Sequence, residues 1–212
     1  KPDAGDAYFV NLKQQAFLRG LSICGTAIGN DFTIGKGPKL EKQVSDALAW
    51  IDRAALLGAP HIRFFAGTGE KLAAHPERLD EAVEAIHRCA EHAAAKGIVL
   101  GIENHGRLSS DQMLMIMSKV KSLWVGINLD SGNFISDDPY RDLERCAPYA
   151  VNVQLKTQMK RPDGSFYPAD FERVAKILKQ AKYQGNVVLE FEEKDPYDGV
   201  PGALERMRKV FV

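Results

Sequence analysis

The segment GIENHG, residues 101–106, decides how the rest of the chain is interpreted. It follows an apolar run at residues 98–100 and a long helical pattern that ends at Gly97, which predicts a buried strand of a β/α unit. Such a strand is normally apolar throughout, yet this one ends in Glu103 and His105, which alternation places on the same side. A buried acid needs an ionic partner or a metal ion. For a single strand, an ordinary salt bridge explains the acid equally well.

Three later apolar runs end in polar residues in the same way. The run VGINLD (125–130) ends in an acid, VNVQLK (151–156) ends in an amide and a lysine, and VVLEFE (187–192) ends in two acids. These ends recur at about the length of one βα repeat, roughly 30 residues. Polar groups with that period converge on one mouth, which coincidental surface acids would not do.

Two further strands are predicted at residues 21–25 and 61–67, which brings the count to six. Alternating strands and helices indicate a parallel α/β architecture, either a barrel or a doubly wound sheet. A doubly wound sheet builds its site from two strand ends, whereas a (β/α)₈ barrel uses many. The sequence therefore predicts one domain, residues 1–212, that is a TIM (β/α)₈ barrel with six strands present and the N-terminal two missing. Unpaired edges would need covering by other residues or by a neighbouring chain, as in a homo-oligomer.

Helical patterns separate these strands, and one long loop follows the strand at residues 151–156. Helices are predicted at residues 6–19, 41–57, 77–96, 171–181 and 201–211. Two more are predicted, one that is capped by Ser109 and one that begins at Pro139 and contains Leu143. The loop at residues 157–169 is long and polar and includes Arg161, and loops of this kind above a barrel mouth are usually functional.

Composition excludes several classes of protein. The 212 residues hold 28 Lys and Arg against 28 Asp and Glu, so nothing favours binding to nucleic acid or membranes. No apolar stretch approaches the roughly 20 residues of a membrane span. The 3 cysteines lack metal-type spacing and indicate thiols in a reducing, cytoplasmic compartment. The sequence begins at Lys1 rather than Met, so a removed leader would not be visible.

Arg63 in the second strand shares a face with Phe65 and would point inward. An inward arginine near several acids either neutralises them or holds a substrate oxygen, and both interpretations stay open.

The motifs Ile102–His105, Asn128–Asn133, Val153–Lys156 and Leu189–Glu192 together resemble the xylose isomerase-like TIM-barrel superfamily and, within it, the sugar phosphate isomerase/epimerase family. The resemblance extends from about Leu21 to the C-terminus. It implies that these are the fifth to eighth barrel strands. It also implies a divalent metal held by Glu103, Asp130, Gln154 and Glu190.

Two positions depart from the family pattern. Gln154 stands where the family has a histidine, and Asn133 stands where a second histidine is often found. Four oxygen ligands suit Mg²⁺ or Mn²⁺ better than Zn²⁺, and the loss of histidine implies weaker binding.

The resemblance implies isomerisation or epimerisation of a sugar or sugar phosphate through an enediolate. Glu103 and Glu190 would remove and return the proton, and a positive centre would stabilise the growing charge. The residues expected to bind substrate are Arg63, Asn133, His105, Lys156 and Arg161.

Two alternatives use the same barrel. A lyase or hydratase acting on oxidised sugars would begin with the same proton abstraction. A catalytically silent sugar-binding barrel is the non-enzyme alternative, motivated by the lost histidine. The related apurinic-site endonucleases bind zinc through many histidines, and only 5 histidines occur here, which argues against that branch.

Overall fold

The computed structural model describes residues 4–211 as an α/β fold with six parallel strands in one sheet. The helices are α1 (Asp6–Phe17), α2 (Pro38–Leu57), α3 (Gly69–Ala74), α4 (Arg78–Lys96), α5 (Ser110–Val120), α6 (Pro139–Cys146), α7 (Phe171–Gln180) and α8 (Pro196–Phe211). The strands are β1 (Thr26–Ala27), β2 (His61–Phe65), β3 (Val99–Glu103), β4 (Val125–Asp130), β5 (Ala150–Lys156), β6 (Gln158–Lys160), β7 (Phe166–Pro168) and β8 (Val187–Glu190).

The main sheet has the order β1-β2-β3-β4-β5-β8, and every neighbouring pair is parallel. Sequential order around the sheet is what a barrel requires, so the predicted barrel topology with six strands is confirmed. Within residues 4–211, no strand pairs with the outer edge of β1 or of β8. The sheet is therefore open between these two strands.

Alternation along the strands separates an apolar outer face from a polar inner face. The outer residues pack under the helices and are almost fully buried; they include Ile62, Phe64, Leu100, Ile102, Ile127, Leu129, Val153 and Leu155. The inner face, which we call the lumen, carries the intervening residues Arg63, Glu103, Asn128, Asp130, Asn152, Gln154, Lys156 and Glu190. The outer face thus forms part of the hydrophobic core, and the inner face carries the candidate functional residues.

Helix ends follow the local sequence signals. Gly58 and Gly97 end α2 and α4 in the left-handed conformation, with φ of 75° and 68°. Ser109 begins α5 with a complete capping box, in which its side chain accepts from the Gln112 backbone and the Gln112 side chain accepts from the Ser109 backbone. These predicted boundaries are confirmed.

Several predicted boundaries were wrong. The first strand is Thr26–Ala27 rather than residues 21–25, because backbone pairing with β2 begins at Thr26 opposite Ile62. Leu21, which the apolar pattern placed in that strand, is exposed. The last helix begins at Pro196, where Asp195 accepts hydrogen bonds from the backbone of the first turn, and it continues through Pro201.

Two elements lie in segments without a predicted structure. Helix α3 follows β2 and is capped by Thr68, whose side chain accepts from the Lys71 backbone. The loop at residues 157–169 contains the antiparallel hairpin β6–β7. Within the described range, no helix has the length and apolar character needed to cross a membrane.

Candidate active site

The polar ends of β3, β4, β5 and β8 lie side by side because these strands are neighbours in the sheet. Glu103 pairs in register with Asn128, Asp130 with Gln154, and Lys156 with Glu190. The lumen below them is a cavity of about 290 Å³, lined in part by His61, Arg63, Asn128, Asn152, Gln154 and Glu190. The register therefore brings the predicted catalytic residues to one mouth.

Glu103 is nearly fully buried, and both of its carboxylate oxygens have partners. Oε2 lies 2.9 Å from Arg63 Nε in an ion pair that lacks hydrogen-bond geometry, and 3.5 Å from Asn128 Nδ2. Oε1 accepts a hydrogen bond from Asn133 Nδ2 at 3.0 Å and lies 3.3 Å from His105 Nδ1. Arg63 also donates through Nη1 to the carbonyl of Ile28 at 2.9 Å. Arg63 thus compensates the charge of Glu103, which is the first of the two roles expected for it.

His105 lies just after the end of β3, at the opening of the lumen. Its side chain is half exposed, and its ring stacks on Phe65 with centroids 4.3 Å apart and planes 23° apart. Arg63 packs on the same Phe65 ring at 4.2 Å. The stacking holds the imidazole of His105 beside Glu103 and leaves part of the ring exposed to solvent.

Asp130 is fully buried, and its two oxygens differ. Oδ1 accepts from the Gly132 backbone at 2.8 Å, whereas Oδ2 is buried without a hydrogen bond within residues 4–211. Burial raises the pKa of Asp130 well above its usual range, Glu190 and Glu103 raise it further, and Lys156 opposes the shift. Within the described residues, Asp130 Oδ2 is therefore uncommitted to any hydrogen bond, and its charged neighbour is Lys156 at 3.6 Å.

Lys156 supplies positive charge between the carboxylates. Its Nζ lies 2.6 Å from Glu192, 3.6 Å from Asp130 Oδ2 and 3.9 Å from Glu190 Oε1. Burial alone would lower the pKa of Lys156, but Asp130, Glu192 and Glu190 outweigh burial and the pKa is raised. Gly132 makes room for this side chain, because a Cβ at that position would lie 2.8 Å from Lys156 Cδ. The ammonium group is therefore charged at neutral pH and is held within the site.

Gln154 and Glu190 form a direct contact at the mouth. Gln154 Nε2 donates to Glu190 Oε2 at 2.5 Å, and Gln154 Oε1 accepts from Asn128. The Glu190 side chain is 31% exposed against 4% for Glu103, so Glu190 is the more accessible of the two glutamates.

Arg161, by contrast, does not join these residues. It is exposed in the β6–β7 hairpin, stacks on Tyr167 at 4.4 Å and donates to Ser165 Oγ at 3.3 Å. Its contacts lie within the hairpin, away from the cluster formed by the other predicted site residues.

Three buried asparagines were not assigned a role from the sequence. Asn104 is fully buried and clamps β3 to β4, because its side chain donates to the carbonyl of Asp130 and accepts from the backbone nitrogen of Asp130. Asn128 and Asn152 lie deeper in the lumen and bond to each other. Their signal in the sequence is an asparagine within an apolar strand, for Asn128 and Asn152, or directly after one, for Asn104. A buried carboxamide is unfavourable unless it is hydrogen-bonded.

The oxygen donors expected to hold a metal ion are present but are committed to other groups. Among residues 4–211, no three or more His, Cys, Asp or Glu side chains are arranged so that they could hold a metal ion. Arg63 pairs with Glu103, and Lys156 lies beside Asp130 and Glu190. The donor chemistry still fits a hard divalent cation, since the donors are all oxygens and Asp130 Oδ2 lacks a hydrogen bond.

Comparisons with known proteins agree with the fold. A family model described as xylose isomerase-like TIM barrel matches residues 1–210. A comparison with curated proteins found no match.

Several solved structures share the architecture at low identity. D-psicose 3-epimerase with D-tagatose from Clostridium cellulolyticum H10 is 16% identical, with a TM-score of 0.80 over 99% of this chain and 86% of that chain. A xylose isomerase-like TIM-barrel protein from Mycobacterium smegmatis in complex with magnesium is 18% identical, with a TM-score of 0.73 over 100% of this chain and 81% of that chain. Mannonate dehydratase from Streptococcus suis serotype 2 is 13% identical, with a TM-score of 0.70 over 98% of this chain and 82% of that chain. At these identities, the likeness shows the fold alone.

Proposed function

Because this chain belongs to the xylose isomerase-like TIM-barrel family, we propose that it is a sugar-processing enzyme, specifically an isomerase or epimerase that moves a proton next to a sugar carbonyl. The observation that carries the proposal is that Glu103 and Glu190 lie at the same mouth of the lumen, with Asp130, Gln154 and Lys156 between them. The similarity to an epimerase solved with D-tagatose supports a small carbohydrate as substrate.

The reaction would begin with transfer of a carbon-bound proton to a carboxylate. One glutamate takes the proton, the electron pair of the broken C–H bond forms a C=C double bond, and the π electrons of the carbonyl move onto its oxygen to give an enediolate. The second glutamate, which must carry a proton taken from solvent, then gives that proton to the opposite face of the same carbon, and the carbonyl re-forms. In an isomerisation it gives the proton to the neighbouring carbon, and the proton of the adjacent hydroxyl group passes to the former carbonyl oxygen. The more exposed Glu190 is suited to proton exchange with solvent between turnovers.

We expect the cations of the site to stabilise the negative charge that develops on the substrate oxygen. Lys156 Nζ lies between the carboxylates of Asp130 and Glu190, and Arg63 keeps the charge of Glu103 compensated. His105 and Asn133 flank Glu103 and would contact substrate hydroxyls. In a mouth partly shielded from water, such fixed charges stabilise an oxyanion more strongly than they would in bulk solvent.

A divalent metal, Mn²⁺ or Mg²⁺, would supply additional positive charge to the substrate oxygens when bound. The residues that would hold it are Glu103, Asp130, Gln154 and Glu190, as the family resemblance implies. The magnesium complex of a structural relative and the uncommitted Oδ2 of Asp130 support this proposal. Metal binding would compete with Lys156 for Asp130 and Glu190.

The test is incorporation of solvent deuterium into D-psicose and D-tagatose, followed by NMR with and without Mn²⁺. An isomerase or epimerase is expected to label the carbon next to the carbonyl and to form a second sugar. Binding of these and other keto- and aldo-sugars without any exchange would instead identify a catalytically silent sugar-binding barrel.

Elimination of water from an oxidised sugar is a second candidate function. The similarity to mannonate dehydratase favours it, and so does the charged Lys156, which could give a proton to a leaving hydroxyl group. Mass spectrometry distinguishes this reaction, because only elimination lowers the mass of the sugar by one water.

A second chain that covers the open sheet edges remains a proposal. Edge strand β1 and several side chains of α1, including Tyr8, Val10 and Phe17, are exposed. Light scattering tests it, and a monomer at all concentrations would argue against a homo-oligomer.

A further inference from the structure

Three carboxamides form a continuous hydrogen-bonded chain through the lumen to Glu190. Asn152 Nδ2 donates to Asn128 Oδ1 at 2.8 Å, and Asn128 Nδ2 donates to Gln154 Oε1. Gln154 Nε2 then donates to Glu190 Oε2 at 2.5 Å. We call Asn152, Asn128 and Gln154 the amide relay.

The register of β4 and β5 brings the members of the relay together. Asn128 faces Asn152 directly across the two strands, and Gln154 is the next lumen-facing residue of β5. Asn128 is 1% exposed and Asn152 is 7% exposed, so water cannot readily replace the bonds between them. Buried carboxamides remain without large cost only when such bonds are made.

The chain has a fixed direction because it ends on a carboxylate. Gln154 donates through its NH₂ group to a carboxylate oxygen of Glu190 and presents its own oxygen to Asn128. Asn128 must then donate to Gln154, which turns its own oxygen toward the NH₂ group of Asn152. Rotating any one carboxamide by half a turn would place two donors or two acceptors against each other.

We propose that Asn128 and Asn152 are positioning residues, which fix the orientation of the Gln154 carboxamide and through it the carboxylate of Glu190. This inference rests on the proposed function, in which Glu190 transfers a proton. Among the described residues, the Glu190 carboxylate is hydrogen-bonded by Gln154 and otherwise ion-paired only with Lys156 at 3.9 Å, so without the relay the carboxylate would be free to rotate.

The relay also contacts the other proposed proton-transfer residue. Asn128 Nδ2 lies 3.5 Å from Glu103 Oε2, so this amide contacts Glu103 directly and is linked to Glu190 through Gln154. The Gln154 oxygen has two lone pairs and uses one of them for Asn128, so its proposed role as a metal ligand is compatible with the relay.

NMR tests the relay without any need for activity. The Gln154 NH₂ signals are identified by their loss in Gln154→Glu, and the Glu190 carboxylate carbon is identified by its loss in Glu190→Gln. In Asn128→Leu, the hydrogen bond from the Gln154 NH₂ group to the Glu190 carboxylate should be lost, so the Gln154 NH₂ protons are expected to exchange with solvent about tenfold faster. The chemical shift of the Glu190 carboxylate carbon is expected to change as well. Asn152→Leu should do the same to a smaller degree, because Asn152 acts through Asn128.

Asn30→Leu is the matched control. Asn30 is another buried asparagine, with reciprocal bonds to the Phe65 backbone at 2.6 Å and 2.9 Å, and it lies outside the relay. It should destabilise the fold while leaving the Gln154 and Glu190 signals in place. If those signals are unchanged in the relay variants, or change equally in Asn30→Leu, the relay does not exist as proposed. Asn152→Leu decides the question if Asn128→Leu fails to fold.

Deuterium exchange into D-tagatose then separates the two proposals. If the parent is active, the relay variants should lose turnover on the order of tenfold with little change in KM. Unchanged turnover in variants whose NMR signals have moved would overturn the positioning role. A parent without turnover whose NMR signals respond as expected would overturn the proposed function and leave the orienting relay in place.

Discussion

Arg63 and Glu103 form an ion pair inside the lumen, with Nε 2.9 Å from Oε2 and the glutamate side chain only 4% exposed. The two residues come from neighbouring strands, and the arginine stacks on Phe65 while it reaches the acid. A carboxylate buried to this degree is stable only while its partner remains. The pair therefore explains how an acidic side chain can be buried at the end of an otherwise apolar strand.

Replacing Arg63 alone should destabilise the protein strongly. Arg63→Leu leaves the buried charge of Glu103 uncompensated, and we expect the free energy of unfolding to fall by about 3 kcal/mol. Chemical unfolding in the presence of a chelator measures the change without interference from metal. The double variant Arg63→Leu/Glu103→Leu should recover most of the loss. A double variant as unstable as the single one would show that packing of the arginine, rather than charge, is responsible.

The stability of the protein should decrease in mild acid because of His61. Burial, with a smaller contribution from Arg63, lowers the pKa of His61 from 6.5 to about 4, and its Nε2 is buried without a hydrogen bond among the described residues. Between these values the unfolded chain binds a proton that the folded chain does not, so the stabilisation is complete above pH 6.5 and is lost as the pH falls toward 4.

We expect this effect to cost about 2 kcal/mol between pH 7 and pH 5. The measurement is chemical unfolding of the parent and of His61→Leu at the two pH values. The drop in unfolding free energy should be smaller by that amount in the variant. An equal drop in both proteins would mean that other groups cause the acid sensitivity.

Each proposed proton-transfer glutamate should be essential for turnover. Glu103→Gln and Glu190→Gln keep the shape and one oxygen but remove the base, so deuterium exchange should fall on the order of 100-fold or more. Mn²⁺ binding, followed by calorimetry, should persist in both variants. For an epimerase, the two variants should differ in which face of the carbon still exchanges. Normal turnover in both would rule out the two-base mechanism.

Metal affinity should respond in opposite directions to changes at Asp130 and at Lys156. Asp130→Ala removes the uncommitted buried oxygen together with a charge and should abolish Mn²⁺ binding, whereas Gln154→Ala should only weaken it. Lys156→Met removes the competing ammonium group and should tighten binding about tenfold.

Calorimetry with Mn²⁺ measures all three variants against the parent. Equal losses for Asp130→Ala and Gln154→Ala would contradict the assigned ligand strengths. Weaker binding by Lys156→Met would show that the lysine supports the metal site instead of competing with it.

Local sequence determined the architecture. The four apolar runs with polar ends predicted β3, β4, β5 and β8, a separate strand pattern at residues 61–67 predicted β2, and sequential parallel order followed from their spacing. Gly58, Gly97 and Ser109 marked helix ends correctly, because capping depends on residues within one turn. The family indicated by the four motifs was also confirmed. The catalytic and metal-binding roles of these residues remain predictions.

Tertiary structure alone decided which of these groups touch. The register between β2 and β3 joins Glu103 to Arg63, and the registers of β4, β5 and β8 line up the amide relay and place Lys156 between Asp130 and Glu190. The position of β1 likewise follows from pairing with distant residues, whereas Arg161 is isolated by a local hairpin whose strands the sequence pattern did not reveal. The alternation of a strand fixes the face on which a side chain lies. The partner it meets depends on the relative shift of strands far apart in sequence, which no local pattern records.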